Sequence, residues 1–360
     1  MNKIFKNFKF TKQNIIILCS IVLAIILIIV AAIIMFKPKN NMEEIPEIEG
    51  VKKEYIESIK TLSIVNPTST SRNYAVMINN QVTARKYQSG LSDAYVVYEL
   101  IAEGGVTRFL AIFKDKDTPK LGSIRSSRHY FLDYAMENDA IYVHWGWSPQ
   151  AKSDISTLGI NNINGLSDSA FFRDQELRNA GVPLEHTGYT TMENLKKSAE
   201  RKGYRTTSNK KLLLKYNIDK IDLSTKENAI KADNVTIKYS NYVEDKYVYD
   251  SENEYYLRYV NDEEHKDYAT GKQLHFKNII TYQVYNETIA DDSKGRQNFD
   301  NIGSGEGYYI TNGYATKIKW SKTKRDEQTK YTYLDGTEID VNDGNTFIQI
   351  QPKNQLLTIE

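Results

Sequence analysis

The chain has 360 residues, of which 40% are hydrophobic and 26% charged, and its formal net charge is +1. This balance excludes a disordered chain, and the near-neutral charge excludes a global field that would recruit nucleic acid. The length leaves room for two hydrophobic cores.

Lys3, Lys6, Lys9 and Lys12 precede an uncharged apolar run at 15–36. About 20 such residues cross a bilayer core, so 1–13 read as a cytoplasmic basic tail and 14–36 as a transmembrane anchor. The run ends without an A-x-A cleavage pattern, and the lysine excess before it places the remainder outside the cell membrane. Cys19, the only cysteine, lies near the start of the run; lipidation there is the lesser alternative to an uncleaved anchor. The exported part therefore has neither a disulfide framework nor a thiolate metal site. Residues 37–66, acidic at Glu43, Glu44, Glu47 and Glu49, read as a juxtamembrane linker.

Residues 67–205 mix strand and helix signals and are expected to form an α/β (or α+β) domain. Strands are expected at 74–78, 94–101, 106–113 and 140–144. The second and third are apolar on both alternating faces, as in strands covered on both sides. Gly104-Gly105 between them marks a hairpin, because glycine accepts positive φ. Ser126 and Ser127 are candidate caps for a helix at 128–137, Ser148-Pro149 opens another, and Thr190-x-x-Glu193 reads as a capping box for a third ending near Gly203.

After a connector at 206–229, residues 230–360 are rich in tyrosine and strand-like at 234–239, 255–259, 278–285, 307–310, 315–320 and 346–350. Asn312-Gly313, Asp335-Gly336 and Asp343-Gly344 are turn signals. A smaller, mostly antiparallel β domain closing in a meander is expected. Its tyrosines read as strand residues, although an exposed row would suit a binding surface.

An unpaired charge within an apolar segment is costly and calls for a reason. Glu99 and Arg108 are expected to pair, since either two-residue loop places them on one face of the hairpin. Glu103, at the hairpin mouth, is a candidate general acid or base if apolar neighbours raise its pKa; a turn glutamate capping backbone amides is the competing reading. Arg125 and Arg128 bracket the expected helix start and would fit a carboxylate or phosphate. His144 is a candidate for proton transfer and Trp145 a stacking face for a sugar ring, against a hydrogen-bonded core histidine among core tryptophans. Arg173 and His186 join the binding set with the same ambiguity. No His-Glu-x-x-His or Gly-x-Ser-x-Gly pattern occurs, calcium-loop patterns are incomplete, and Gly303-x-Gly305-x-Gly307 reads as a turn. No metal and no cofactor is expected.

The segments AVMINN, SGLSDAYVVYELIAEGGVTRFLAIF, LGSIRSSRHYFLDYA and DAIYVHWGWSPQA resemble the YerB family of bacterial extracytoplasmic proteins, a domain of unknown function numbered 3048. YLRYVNDEEHKDYATGKQLHFKNII and the run from GYYITNGYATKIKW to IQIQP resemble its C-terminal part. The resemblance implies a bacterial envelope location and a two-domain ectodomain, and it carries over no reaction or catalytic residue. Family members are often lipoproteins, from which an intact membrane anchor departs. The expected function is thus membrane-anchored and extracytoplasmic: binding an anionic cell-wall glycan or peptidoglycan fragment, with hydrolysis or lysis of it as an open option. The alternative is a non-enzymatic binding or scaffolding module for another envelope protein.

Overall fold

A computed structural model describes residues 62–360. The expected basic tail, membrane span and most of the linker lie outside the described residues. Among the described residues, no helix is long and apolar enough to cross a membrane.

The described residues build a mixed α/β structure in which strands dominate. An eleven-stranded sheet runs through both halves of the sequence. Its order is Ile230–Lys231, Tyr314–Lys322, Gly303–Thr311, Asn278–Val284, Thr346–Pro352, Val96–Ile101, Thr107–Phe113, Tyr74–Asn79, Ile141–His144 and Asn162–Asn164, with Lys330–Tyr333 added beside Tyr314–Lys322. The halves join where Thr346–Pro352 pairs in parallel with Val96–Ile101, Glu99 lying opposite Gln349. The same strand pairs in parallel with Asn278–Val284. The expected closing meander does not form: Thr346–Pro352 is inserted at the centre of the sheet, and Leu357–Ile359 joins a second sheet. Gly303, Gly305 and Gly307 lie in a strand, not in the expected turn.

Val96–Ile101 and Thr107–Phe113 are buried along their whole length because both faces are covered. On one face Val97, Phe109 and Ala111 pack with Val235, Ile237, Tyr247 and Tyr256 of a second, antiparallel sheet. On the other, Tyr98, Leu100, Leu110 and Ile112 pack with Tyr130, Phe131, Tyr134 and Ala135 around the helix Phe131–Glu137. Each such large side chain removed from water contributes about 1.5–3 kcal/mol.

The loop between these two strands decides the register. Ala102 N donates to Val106 O at 2.6 Å, enclosing the three residues Glu103–Gly105, with Gly104 at φ 66° and Gly105 at φ 77°. Three residues in place of two shift the pairing by one, so Glu99 lies opposite Phe109 and Leu100 opposite Arg108. A one-residue shift exchanges faces. Glu99 therefore points at the second sheet, Arg108 at the helix side, and the expected Glu99–Arg108 pair does not form.

Two helix starts also differ from expectation. Ser126 and Ser127 cap nothing: Ser126 Oγ donates to Trp145 O at 2.9 Å, Ser127 Oγ accepts from Tyr142 at 2.8 Å, and the helix begins at Phe131. Thr191, not Thr190, caps Met192–Arg201, accepting from Asn194 N at 3.0 Å. Thr190 instead donates to Ala170 O, a bond available only once the Phe171–Arg173 strand lies alongside. Ser148 caps Pro149–Thr157 as expected, accepting from Ala151 N at 3.2 Å.

Candidate functional site

Glu103 leaves the hairpin tip toward the segment before the Phe131–Glu137 helix and meets two arginines. Arg108 Nη2 donates to Glu103 Oε1 at 3.0 Å and Arg108 Nη1 to Ser126 O at 2.6 Å. Arg128 grips the same carboxylate with both arms, Nε to Oε2 at 2.8 Å and Nη2 to Oε1. Burial by itself would raise the Glu103 pKa, but the two guanidinium groups outweigh it and hold the carboxyl well below the usual range. The expected general acid is therefore a carboxylate that stays ionised and is a weak base. Arg128 is corrected with it: the anion it clamps is internal, so it is not free for a ligand.

Arg125 differs from both neighbours. Its backbone is fixed on both sides, its N–H donating to Met77 O at 2.9 Å and its C=O accepting from Trp145 N at 3.0 Å. Its half-buried side chain makes no hydrogen bond or ion pair among the described residues. Burial lowers its pKa, the charges of Glu185 and Glu103 act in the opposite direction, and Arg128 repels it. Arg173 and His186 lie within reach of the same field. The expected residues Glu103, Arg125, Arg128, Trp145, Arg173 and His186 thus converge, and the cationic side outnumbers its carboxylates. Glu185, which sequence reasoning missed, supplies the second carboxylate; its only signal was adjacency to His186.

Trp145 is not an open platform. Arg173 stacks on its ring at 3.8 Å, and Phe171 meets it edge-on at 5.3 Å. A Cβ added at Gly165 would stand 2.5 Å from the indole and one at Gly188 2.8 Å from it. The expected sugar-stacking face is therefore already covered by protein. Gly165→Ala is expected to displace the indole, shifting tryptophan emission and costing roughly 1–3 kcal/mol in urea unfolding; unchanged emission and midpoint would mean that the glycine does not set the ring's position.

Both expected histidines are structural in their contacts. His144 is 0% exposed, its Nδ1 2.8 Å from Gly146 O and its Nε2 3.1 Å from Asn162 Oδ1. Burial lowers its pKa and favours the neutral ring, so His144 has no access to a substrate and the expected proton-transfer role is corrected. His186 is held between Asn79 at 2.9 Å and Thr83 at 3.0 Å.

Glu99 finds its partner 159 residues away. Arg258 Nη2 lies 2.9 Å from Glu99 Oε2 and 2.8 Å from Asp245 Oδ1, all three side chains being fully buried between the sheets. Gln349 and Asn80 also donate to Glu99, at 3.2 and 3.1 Å. Nothing in the local pattern around Arg258 announced this. The tyrosines nearby serve the same core: Tyr239 donates to Glu99 O at 3.0 Å, and Tyr247 and Tyr256 are buried with it, while Tyr309 and Tyr331 are buried in the core on the other face of the central sheet.

Two family models match the chain: the N-terminal domain of a protein of unknown function (DUF3048) over residues 62–205, and the DUF3048 C-terminal domain over 235–348. The chain is similar to the putative lipoprotein YerB of Bacillus subtilis, with 32% identity over 314 residues, 87% of this chain and 90% of that protein. It is also similar in structure to the crystal structure of YerB from Bacillus subtilis, with a TM-score of 0.68 and 31% identity over 80% of this chain and 94% of that one.

Proposed function

This chain belongs to the DUF3048 protein family, and from that premise we propose that it is a membrane-anchored extracytoplasmic protein of the bacterial envelope that binds a carboxylate-bearing peptidoglycan fragment at Arg125 without cleaving it. The apolar run at 15–36 and the description of its Bacillus relative as a putative lipoprotein support the location. The observation that carries the binding reading is the contrast within one arginine cluster: Arg108 and Arg128 are engaged by Glu103, while Arg125 has no side-chain partner among the described residues. A half-buried guanidinium favours an external anion that can accept two hydrogen bonds at once. Cleavage loses its support because Glu103 is held ionised and His144 is enclosed. The scaffolding alternative loses its specific support because much of the tyrosine set is core.

The test is sedimentation of the full chain, purified in detergent, with purified cell-wall sacculi, followed by mass spectrometry of the supernatant. Arg125→Gln is expected to weaken wall binding by about 10-fold or more, and the wild type to release no soluble fragment. Equal binding by wild type and variant would remove Arg125 from the reading. Released fragments would replace binding by catalysis.

A further inference from the structure

Arg85 ends the short helix Val82–Arg85 and turns inward, where only 8% of it is exposed. Its one side-chain hydrogen bond among the described residues runs from Nε to Asn80 Oδ1 at 3.4 Å, and Nη2 is enclosed without a partner. No carboxylate among the described residues stands within ion-pair distance of it, and the buried Asp245 and Glu99 act on it only from farther off. A guanidinium taken out of water without a bonded counter-charge is strongly disfavoured, so the place where it opens to the outside is informative.

It opens into a cavity of about 360 Å³ between its helix and the segment 263–271 of the other half of the chain. That volume lies at the small end of ligand sites, about 300–1,000 Å³. Across the cavity stands Glu263, an exposed carboxylate with no side-chain partner among the described residues, whose charge reaches Arg85 after those of the buried Asp245 and Glu99 on its inner side. The other acids there are engaged: Glu264 pairs with Lys266 at 2.6 Å, and Asp267 accepts from the backbone amides of Gly90, Ala269 and Thr270. His265 on the floor is committed to Arg258 and Gln88. Val82 and Tyr268 present exposed apolar surface at the rim.

One small cavity thus holds Arg85 and Glu263, which do not bond each other, with apolar surface beside them and Lys86 as a further exposed cation on its lining. We propose that it binds a free α-amino acid, with the ligand carboxylate on Arg85, its ammonium facing Glu263, and its side chain against Val82 and Tyr268. The site uses none of the residues of the arginine cluster at Glu103 and Arg125, so the two readings stand or fall separately.

Calorimetric titration of the full chain in detergent tests this, with the common amino acids in both enantiomers as probes, and acetate and methylammonium as their separated halves. At least one amino acid is expected to saturate the protein with a Kd of about 1 mM or tighter. Each half should bind at least about 10-fold more weakly, and Arg85→Met and Glu263→Gln should each cost at least about 10-fold. Because Arg85 is buried, Glu263→Gln at the surface decides the matter if the arginine variant does not fold. Three results would each overturn the proposal: no amino acid saturates the wild type, acetate binds as tightly as the best amino acid, or Glu263→Gln binds as the wild type does.

Discussion

Arg258→Met is expected to destabilise the protein by roughly 3–5 kcal/mol at neutral pH, because it leaves two buried carboxyl groups without their shared cation. Arg258 is 0% exposed and joins Glu99 of the central sheet to Asp245 of the second sheet, while also donating to His265 at 3.0 Å and to Tyr247. Burial first, and then the neighbouring Asp245, push the Glu99 carboxyl well above its usual range despite Arg258. The folded chain therefore keeps a proton that the unfolded chain releases above about pH 4.3. Stability falls as pH rises from that value toward the raised folded one. Removing the cation raises the folded value further, so the deficit of the variant should widen with pH. Urea unfolding at pH 5 and pH 8 reads both effects, and Glu99→Gln, which resembles the protonated acid, should flatten the slope. An Arg258→Met protein as stable as the wild type at pH 8 would mean that the two sheets cohere without this bridge.

Glu103→Gln should also act on stability before anything else. It leaves Arg108, only 2% exposed, beside Arg128 with no carboxylate between them, at a cost of roughly 3 kcal/mol. Here the pH dependence has the opposite sign. The folded pKa of Glu103 lies below the unfolded value of about 4.3, so its contribution is complete above that value and is lost as pH falls toward the folded one. Thermal unfolding between pH 3 and pH 7 should show the gap between wild type and variant closing on acidification. A variant of undiminished stability would contradict the clamp and restore Glu103 as a free acid.

Much of the local structure was legible in the sequence. The doubly apolar runs gave Val96–Ile101 and Thr107–Phe113, Ser148-Pro149 gave a helix, and Asn312-Gly313 gave the turn of the long hairpin between Gly303–Thr311 and Tyr314–Lys322. The strand Glu244–Asp250 escaped notice because Glu244, Asp245, Lys246 and Asp250 interrupt any apolar alternation, one of its two fully buried positions being the charged Asp245. The neighbourhood of the site was legible too, since charges inside apolar segments need compensation wherever the chain places them. Which charge compensates which was not. Glu103 answers Arg108 and Arg128, Glu99 answers Arg258, and Arg125 alone of the expected arginine pair has no side-chain partner among the described residues.

By itself, then, the sequence determined the elements and the crowding of charge around residues 99–145, because apolar periodicity, caps and turns act over a few neighbouring residues. Tertiary structure decided the function of each charge. One extra residue in the Glu103–Gly105 loop turned Glu99 and Arg108 to opposite faces, and the parallel insertion of Thr346–Pro352 brought Gln349 beside Glu99, where Arg258 also meets it. Burial and pairing depend on segments far apart in the chain, and the free energy of a charge is set by what stands within a few ångströms of it once those segments have met.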